Sequence, residues 1–415
     1  MAIHVVNEAR RCLHCKKPMC REGCPISTNI PEVIELFRTG HKEDAGAMLY
    51  ANNPLSVICS LVCDHDKQCE GHCVLGRKGA PVHFSSIENY ISDSYLDHLH
   101  PEMQPKTGQR VAIIGSGPAG ITISILLAQR GYQVTMFESR EKIGGVLRYG
   151  IPEFRLPKSI LDRYQKQLTQ LGIRIRPNTA IGRTLTVDDL QRDGYEAIFI
   201  GTGVWKPKAM GIPGESLGNV NYAIDYLVNP DVYDLGDDLV VIGAGNSAMD
   251  VARTALRKGV RRVNVFCRRY QTAASVREVD YAKADGVEFF YGMRPTRIVD
   301  DGVYYKKVEM DEEGNITSTS TSEEQFFPCS SVIIAISQGA QSRIVSTTTG
   351  LEISSHGLLA TNEHGETTRE GIFASGDVVL GARTVVEAVK YSKQVADEMD
   401  AYLRRRREAK QEDNA

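Results

Sequence analysis

Two apolar runs break into glycine in the same way. Arg110–Ile114 enters Gly115-Ser-Gly117-Pro118-Ala119-Gly120, and a second apolar run follows at Gln133–Phe137. Asp238–Ile242 enters Gly243-Ala-Gly245-Asn246-Ser247-Ala248, and Arg262–Phe266 follows. Short apolar runs bounded by glycine read as buried strands, so the pattern predicts strand–turn–helix–strand twice. Ahead of both, Ile30–Thr39 and Glu43–Ala51 carry helical spacing, punctuated by Pro25, Pro31 and Pro54. His98–Gly108 reads as a linker. After the second nucleotide-type unit the chain is rich in strand and turn signals through Glu313–Ser322. It closes with an apolar strand over Gly371–Asp377 and a helix from Thr384, whose charged tail from Arg404 reads as a solvated, frayed end.

This order predicts an α/β protein: an N-terminal all-α domain, then two Rossmann-like dinucleotide-binding domains, one inserted in the other. The expected boundaries are 1–105 for the helical domain, 106–225 with 340–415 for the first nucleotide domain, and 226–339 for the inserted one. At 415 residues, 42% hydrophobic and 24% charged, the composition is that of a globular chain of two or three domains. A net charge of -3 gives no reason to expect nucleic acid or an anionic membrane as partner. The opening MAIHVVNEARRC lacks the apolar core of a signal peptide, and no apolar run approaches the ~20 residues of a membrane span. The expectation is a cytoplasmic chain with reduced thiols.

The glycines of the first turn permit a tight bend and close approach of backbone to a pyrophosphate, which meets the helix N-terminus. Glu138, at the end of the next strand, is where an acidic group would hold ribose hydroxyls. Gly144-Gly145 suggests the flavin version of the motif, and two motifs in one chain fit FAD plus a pyridine nucleotide. In the second turn Ala248 replaces the third glycine, which the fingerprint permits. Its strand ends in Arg268-Arg269 with no acid. Guanidinium forks bind a 2′-phosphate that a carboxylate would repel, which favours NADPH over NADH. Gly376-Asp377 would accept a bond from a sugar-like chain. Thr384, with Val385 and Val386, would open a helix facing the negative charge of a reduced flavin.

Eight of the 10 cysteines lie before residue 75, as Cys12-x2-Cys15-x4-Cys20-x3-Cys24-Pro25 and Cys59-x3-Cys63-x5-Cys69-x3-Cys73. Clusters of this density in a reducing compartment argue for metal. Zinc would take four cysteines, or three with His14, His65 or His72. Cys-x2-Cys with a terminal Cys-Pro points instead to ferredoxin-type ligation shared between distant runs. Iron–sulfur is preferred because a neighbouring flavin delivers electrons, which zinc cannot take. The zinc alternative would make the chain a redox-silent nucleotide-binding scaffold. Isolated Cys267 and Cys329 read as buried small side chains. No Cys-x-x-Cys marks the second nucleotide domain, and no acid–base catalytic signature or organic-substrate domain stands out.

With the cysteine array, Gly144–Pro157 (GGVLRYGIPEFRLP), Ile200-Gly-Thr-Gly203, Gly211-Ile-Pro-Gly-Glu215 and Gly371–Asp377, the whole chain resembles the small (beta) subunit of NADPH-dependent glutamate synthase and its relatives. Those include the NAD-dependent subunit of bacterial dihydropyrimidine dehydrogenase and the large subunit of bifurcating ferredoxin:NADP transhydrogenase. The resemblance implies two [4Fe–4S] clusters. One is held by Cys12, Cys15, Cys20 and Cys73. The other is held by Cys24, Cys63 and Cys69 with Glu88, and Cys59 is a rival for Glu88's place. It also implies that Arg155, Gly203 and Gln338 lie near the flavin. The family's Met-Pro-Ala after the arginine pair reads Thr272-Ala-Ala-Ser275 here, which leaves contacts on the nicotinamide side open. The expected activity passes hydride from NADPH to FAD and single electrons through two clusters to a partner subunit or ferredoxin, in a hetero-oligomer.

Overall fold

The computed structural model describes residues 4–99, 103–311, 316–319, 323–341 and 343–412. Part of the Glu313–Ser322 stretch therefore lies outside the described residues. The chain forms two compact units. One comprises Met1–Arg148, Glu153–Val204 and Ala340–Ala415; the other comprises Tyr149–Pro152 and Trp205–Gly339.

The first unit begins with short helices. Ile30–Arg38 has Pro31 in its first turn, where a missing N–H costs nothing, and buries Ile30, Val33 and Ile34. These meet Leu49 of Lys42–Asn52 and Phe84, Ile87 and Ile91 of Phe84–Asp97 in one core. The helix Ser56–Val62 buries its first five residues, Ser56 to Ser60. The helical region is bonded to the rest of its unit. Tyr164, in the helix Lys158–Gln170, donates to the Pro54 carbonyl at 2.7 Å, and Arg163 pairs with Asp93 and Asp97.

The remainder of this unit is a five-stranded parallel sheet in the order Ile372–Ala374, Tyr195–Ile200, Arg110–Ile114, Gln133–Phe137, Arg174–Arg176. The strand that feeds the glycine turn is central, with a later strand on one side and the next strand on the other. That is the switch point at which such sheets bind ligands. The closing strand is shorter than Gly371–Asp377 because Gly376 (φ +77°) turns the chain out of the sheet. The helix Val385–Glu412 continues through the tail expected to fray. Arg404 pairs with Asp400, Arg406 bonds the Tyr402 hydroxyl and Lys410 reaches Glu196 on a neighbouring strand.

The second unit repeats the arrangement: Val220–Tyr222, Ser331–Ile334, Asp238–Ile242, Arg262–Cys267, Glu288–Tyr291, all parallel. Its strand-rich stretch is an antiparallel meander of Met293–Val299, Gly302–Met310 and Ile316–Thr319, with Gln325–Pro328 also on Gly302–Met310. Cys267 and Cys329 are buried, and burial pushes their thiols up to about 11 and about 12.

Candidate functional site

The first glycine turn is shaped by its own backbone. A Cβ on Gly115 would sit 2.5 Å from the Gly201 carbonyl oxygen, and one on Gly120 only 2.0 Å from that of Gly115. A Cβ on Gly117 would meet no protein atom within 4 Å. Among the described residues nothing crowds that position, so it has room for an external group. The helix Pro118–Gln129 starts at Gly117 with no side-chain cap, so its leading N–H groups are left for an anion. Gly145 (φ +52°) crowds the Gly117 backbone, and a Cβ on Gly376 would come 3.1 Å from that of Ala119. Gly115, Gly117, Gly120, Gly145 and Gly376 thus converge on one cradle whose shape fits a dinucleotide pyrophosphate.

Glu138 is buried and accepts from four protein donors: Ser116 N at 3.0 Å, the Ser116 hydroxyl, the Ser139 hydroxyl at 3.1 Å and Arg140 N at 2.7 Å. These fill the roughly four lone-pair positions of a carboxylate. Its visible work is to fix the glycine turn, and Ser116, which sequence reasoning passed over, is its main partner. Asp377 accepts from Arg383 N at 3.2 Å, and burial pushes its carboxyl up to about 6. Thr384 and Glu387 form a reciprocal cap ahead of Val385: Glu387 accepts from the Thr384 hydroxyl and N–H at 2.7 and 3.1 Å. That Thr-x-x-Glu spacing was legible in the sequence. Arg155 is half-buried and Gly203 has φ +69°. Gln338 lies in the second unit, paired with Pro207.

The second turn has the same construction. A Cβ on Gly243 would lie 2.3 Å from the Ala335 carbonyl oxygen, Gly245 faces open space, and Asn246–Arg257 begins uncapped. Ala248 is fully buried in the core behind the turn. Asn246 Oδ1 accepts from Ser275 N at 3.0 Å, and Ala273 and Ala274 N–H both donate to the Ala244 carbonyl at 2.9 Å. The departure at Thr272–Ser275 is therefore a backbone clasp on the turn beside Ser247. Arg268 and Arg269 are exposed, with no ion pair among the described residues.

The cysteines fall into two groups. Cys12, Cys15, Cys20 and Cys73 line one apolar pocket with Ile34 and Phe84, and Cys69 also reaches its wall. Burial raises the Cys12 and Cys20 thiols, Cys20 to about 11, and their neighbours Cys15 and Cys73 act in the same direction. Cys24, Cys63, Cys69 and Glu88 form the second group. The neighbouring Cys59 side chain and then burial hold the Cys63 thiol well above its usual range. Burial, then Glu88, Glu70 and Cys24, do so for Cys69. Glu88 is buried, accepts from the Ser56 hydroxyl at 2.7 Å, and is pushed by burial up to about 7 against the opposing pull of that bond. Glu88 and Cys59 both adjoin Cys63. Among the described residues no three His, Cys, Asp or Glu side chains draw close enough to grip one metal ion. The fit to iron–sulfur rests on the donor set: seven thiols and a carboxylate in two groups, with protons to be displaced on binding. His14 and His72 are exposed, and only His65 of that trio is buried.

Two family profiles cover the chain. One described as dihydropyrimidine dehydrogenase domain II, 4Fe-4S cluster, matches residues 2–99. Another, pyridine nucleotide-disulphide oxidoreductase, matches 109–392 and, in a second alignment, 88–190. Glutamate synthase [NADPH] small chain from Halomonas elongata is 34% identical over 95% of this chain and 90% of its own. The NAD-dependent dihydropyrimidine dehydrogenase subunit PreT of Escherichia coli O157:H7 is 31% identical over 96% of this chain and 94% of its own. Among solved structures, FprA of Mycobacterium tuberculosis in complex with NADPH superposes with a TM-score of 0.61 at 20% identity, over 74% of this chain and 86% of that one, a likeness of fold. Both of these sequence relatives are named as a chain or subunit of an enzyme. Among the described residues no single helix is long and apolar enough to cross a membrane. With two dinucleotide turns, two cysteine groups and relatives matched along nearly its whole length, the chain belongs to the glutamate synthase small-chain family of NADPH-, FAD- and 4Fe–4S-dependent oxidoreductases.

Proposed function

We propose that this chain is the electron-input subunit of a glutamate synthase-type complex, working in the cytoplasm. It draws on NADPH and delivers single electrons to a larger partner subunit, with ferredoxin as the other acceptor of suitable chemistry. When bound, the pyridine nucleotide and flavin supply two-electron hydride chemistry, and the iron–sulfur centres supply one-electron steps. The observation that carries the reading is the pairing, within one compact unit, of a flavin-type glycine cradle and two cysteine groups.

In this reading Gly115, Gly117, Pro118, Ala119 and Gly120 present uncapped amides to the flavin's pyrophosphate, and Gly145 and Gly376 close the cradle. Asp377 and Thr384 define the edge where the final helix begins, with Arg155 and Gly203 as further contacts. Gly243, Gly245, Asn246, Ser247 and Ala248 hold the second pyrophosphate. Arg268 and Arg269 offer two guanidinium forks to a 2′-phosphate. Cys12, Cys15, Cys20 and Cys73 hold one centre, and Cys24, Cys63, Cys69 and Glu88 the other. No side chain is needed as acid or base, because hydride transfer needs positioning rather than proton exchange.

Anaerobic titration of the purified chain with NADPH, then NADH, followed by visible absorbance and EPR, tests the assignment. Bleaching by NADPH with reduced-cluster signals is expected. Bleaching by NADH alone would overturn the arginine argument and favour the pyrimidine-type relative. No bleaching by either would end the electron-input reading.

A further inference from the structure

A hydrogen-bonded chain runs from the C-terminal helix into the cysteine region of the same unit. Lys393 Nζ donates to the Asn52 carbonyl oxygen at 2.7 Å and to Asn52 Oδ1 at 3.0 Å. Asn52 Nδ2 donates to Thr28 Oγ1 at 3.0 Å and to the Ile26 carbonyl at 3.3 Å. Thr28 is buried, and its Oγ1 lies 3.3 Å from Cys24 Sγ. The orientation of the Asn52 amide follows from its neighbours. An ammonium can only donate, so it faces Oδ1; a carbonyl can only accept, so it faces Nδ2.

In the metal-free chain the Cys24 thiol donates to Thr28. As a metal ligand Cys24 is a thiolate without a proton, so Thr28 must turn its own hydrogen onto the sulfur. Thr28 Oγ1 already accepts from Asn52, which leaves its hydrogen available. Every member then donates in one direction, from ammonium to sulfur, and bonds aligned in this way polarise one another. Lys393 is half-buried, and the carboxylate one turn along, Asp397, is engaged by Arg130. At Cys12 and Cys20, in the other group, the nearby His14 and Arg21 backbones favour the thiolate instead.

We propose that Lys393, Asn52 and Thr28 form a positioning relay that raises the reduction potential of the iron–sulfur centre held through Cys24. The proposal rests on the reading of Cys24 as a ligand. A hydrogen bond to a ligating sulfur and a nearby cation both favour the reduced, more negative form of such a centre.

The test is an EPR-monitored redox titration of the full chain carrying its flavin and iron–sulfur centres. Lys393→Met and Thr28→Val should each lower the midpoint of one centre and leave the other in place. The expected shift is a tenfold change in the oxidised-to-reduced ratio, about 59 mV for a one-electron couple. Lys393→Arg and Thr28→Ser should restore most of it, which a purely structural role would not predict. Iron content of Cys24→Ala separates the two readings. If that variant keeps its full iron, the ligand assignment falls and the relay with it. If it loses iron while both midpoints stay fixed in Lys393→Met and Thr28→Val, the ligand assignment stands and the relay alone is overturned.

Discussion

The two glycine turns are built alike and finished differently. In each, the first glycine has positive φ, +99° at Gly115 and +128° at Gly243, and its Cβ position is blocked by a carbonyl oxygen. In each, the middle glycine faces open space and the helix starts uncapped. The difference lies at the end of the following strand. Glu138 is buried and saturated by protein donors, whereas Arg268 and Arg269 are exposed and, among the described residues, without ion-pair partners. A buried carboxylate is tolerable only with its bonds in place, and Glu138 finds them within the chain, without any ligand. Exposed guanidiniums gain their partner only when an anion comes. The first arrangement suits a cofactor that stays and the second one that leaves after each turnover.

The third motif position separates the turns most sharply. Gly120→Ala drives a methyl to 2.0 Å from the Gly115 carbonyl oxygen, while the equivalent Ala248 already sits comfortably in its core. Gly120→Ala should cost about 3 kcal/mol or more and empty the protein of flavin. Ala248→Gly should cost about 1 kcal/mol, the helix penalty of glycine. Urea unfolding and flavin content of the two variants would check this; equal losses would refute the difference.

The middle glycines offer the reverse. A Cβ at Gly117 or Gly245 touches no protein atom, and both have negative φ, so alanine should leave stability unchanged or slightly raised. Gly117→Ala should fold yet retain under about a tenth of the flavin. Gly245→Ala should keep its flavin and raise KM for NADPH by about tenfold, each binding loss being near 1.4 kcal/mol. A melting curve beside a flavin spectrum distinguishes these outcomes.

Removing both guanidiniums, Arg268→Ala with Arg269→Ala, tests the other end of the second strand. Charged hydrogen bonds are worth about 1.5–3 kcal/mol when one partner is removed, but these side chains are exposed, so the lower figure applies. KM for NADPH should rise about tenfold, with KM for NADH nearly unchanged. Equal rises for both nucleotides would mean the arginines act on something other than a 2′-phosphate.

What the sequence made legible is what local pattern controls. The strands Arg110–Ile114 and Gln133–Phe137 end where apolar runs meet polar or glycine residues, and the structure places them at those limits. Hidden were contacts between residues far apart in sequence. Tyr164 carries no motif, yet it ties its helix to Pro54, and Lys393 reaches Asn52 across 341 positions. Glu138 was legible as a strand-end acid, but its four protein donors were not, since only the folded turn brings Ser116 and Arg140 to it. The tail was misread as frayed because a run of arginines shows its repulsion locally. The carboxylates that relieve it, Asp400 and Glu196, lie one turn back and on another strand.

The smallest effect concerns an acid of the first unit, Asp377, which follows the closing strand. Burial lifts the Asp377 carboxyl to about 6, above the ordinary value near 3.9. The folded chain therefore holds this proton more tightly than the unfolded chain does. Its contribution to stability is full below about pH 4, declines as pH rises toward 6, and is flat beyond. Asp377→Asn keeps an oxygen for the Arg383 N–H and removes the buried charge. In the flavin-free protein the variant should match the parent at pH 4 and exceed it by about 1 kcal/mol at pH 7, less than the full shift implies because the side chain is only partly enclosed. A constant gap across that range would mean that Asn packs better there and that Asp377 carries no buried charge. A gap that opens between pH 4 and 6 would show the first nucleotide site holding a buried acid in readiness.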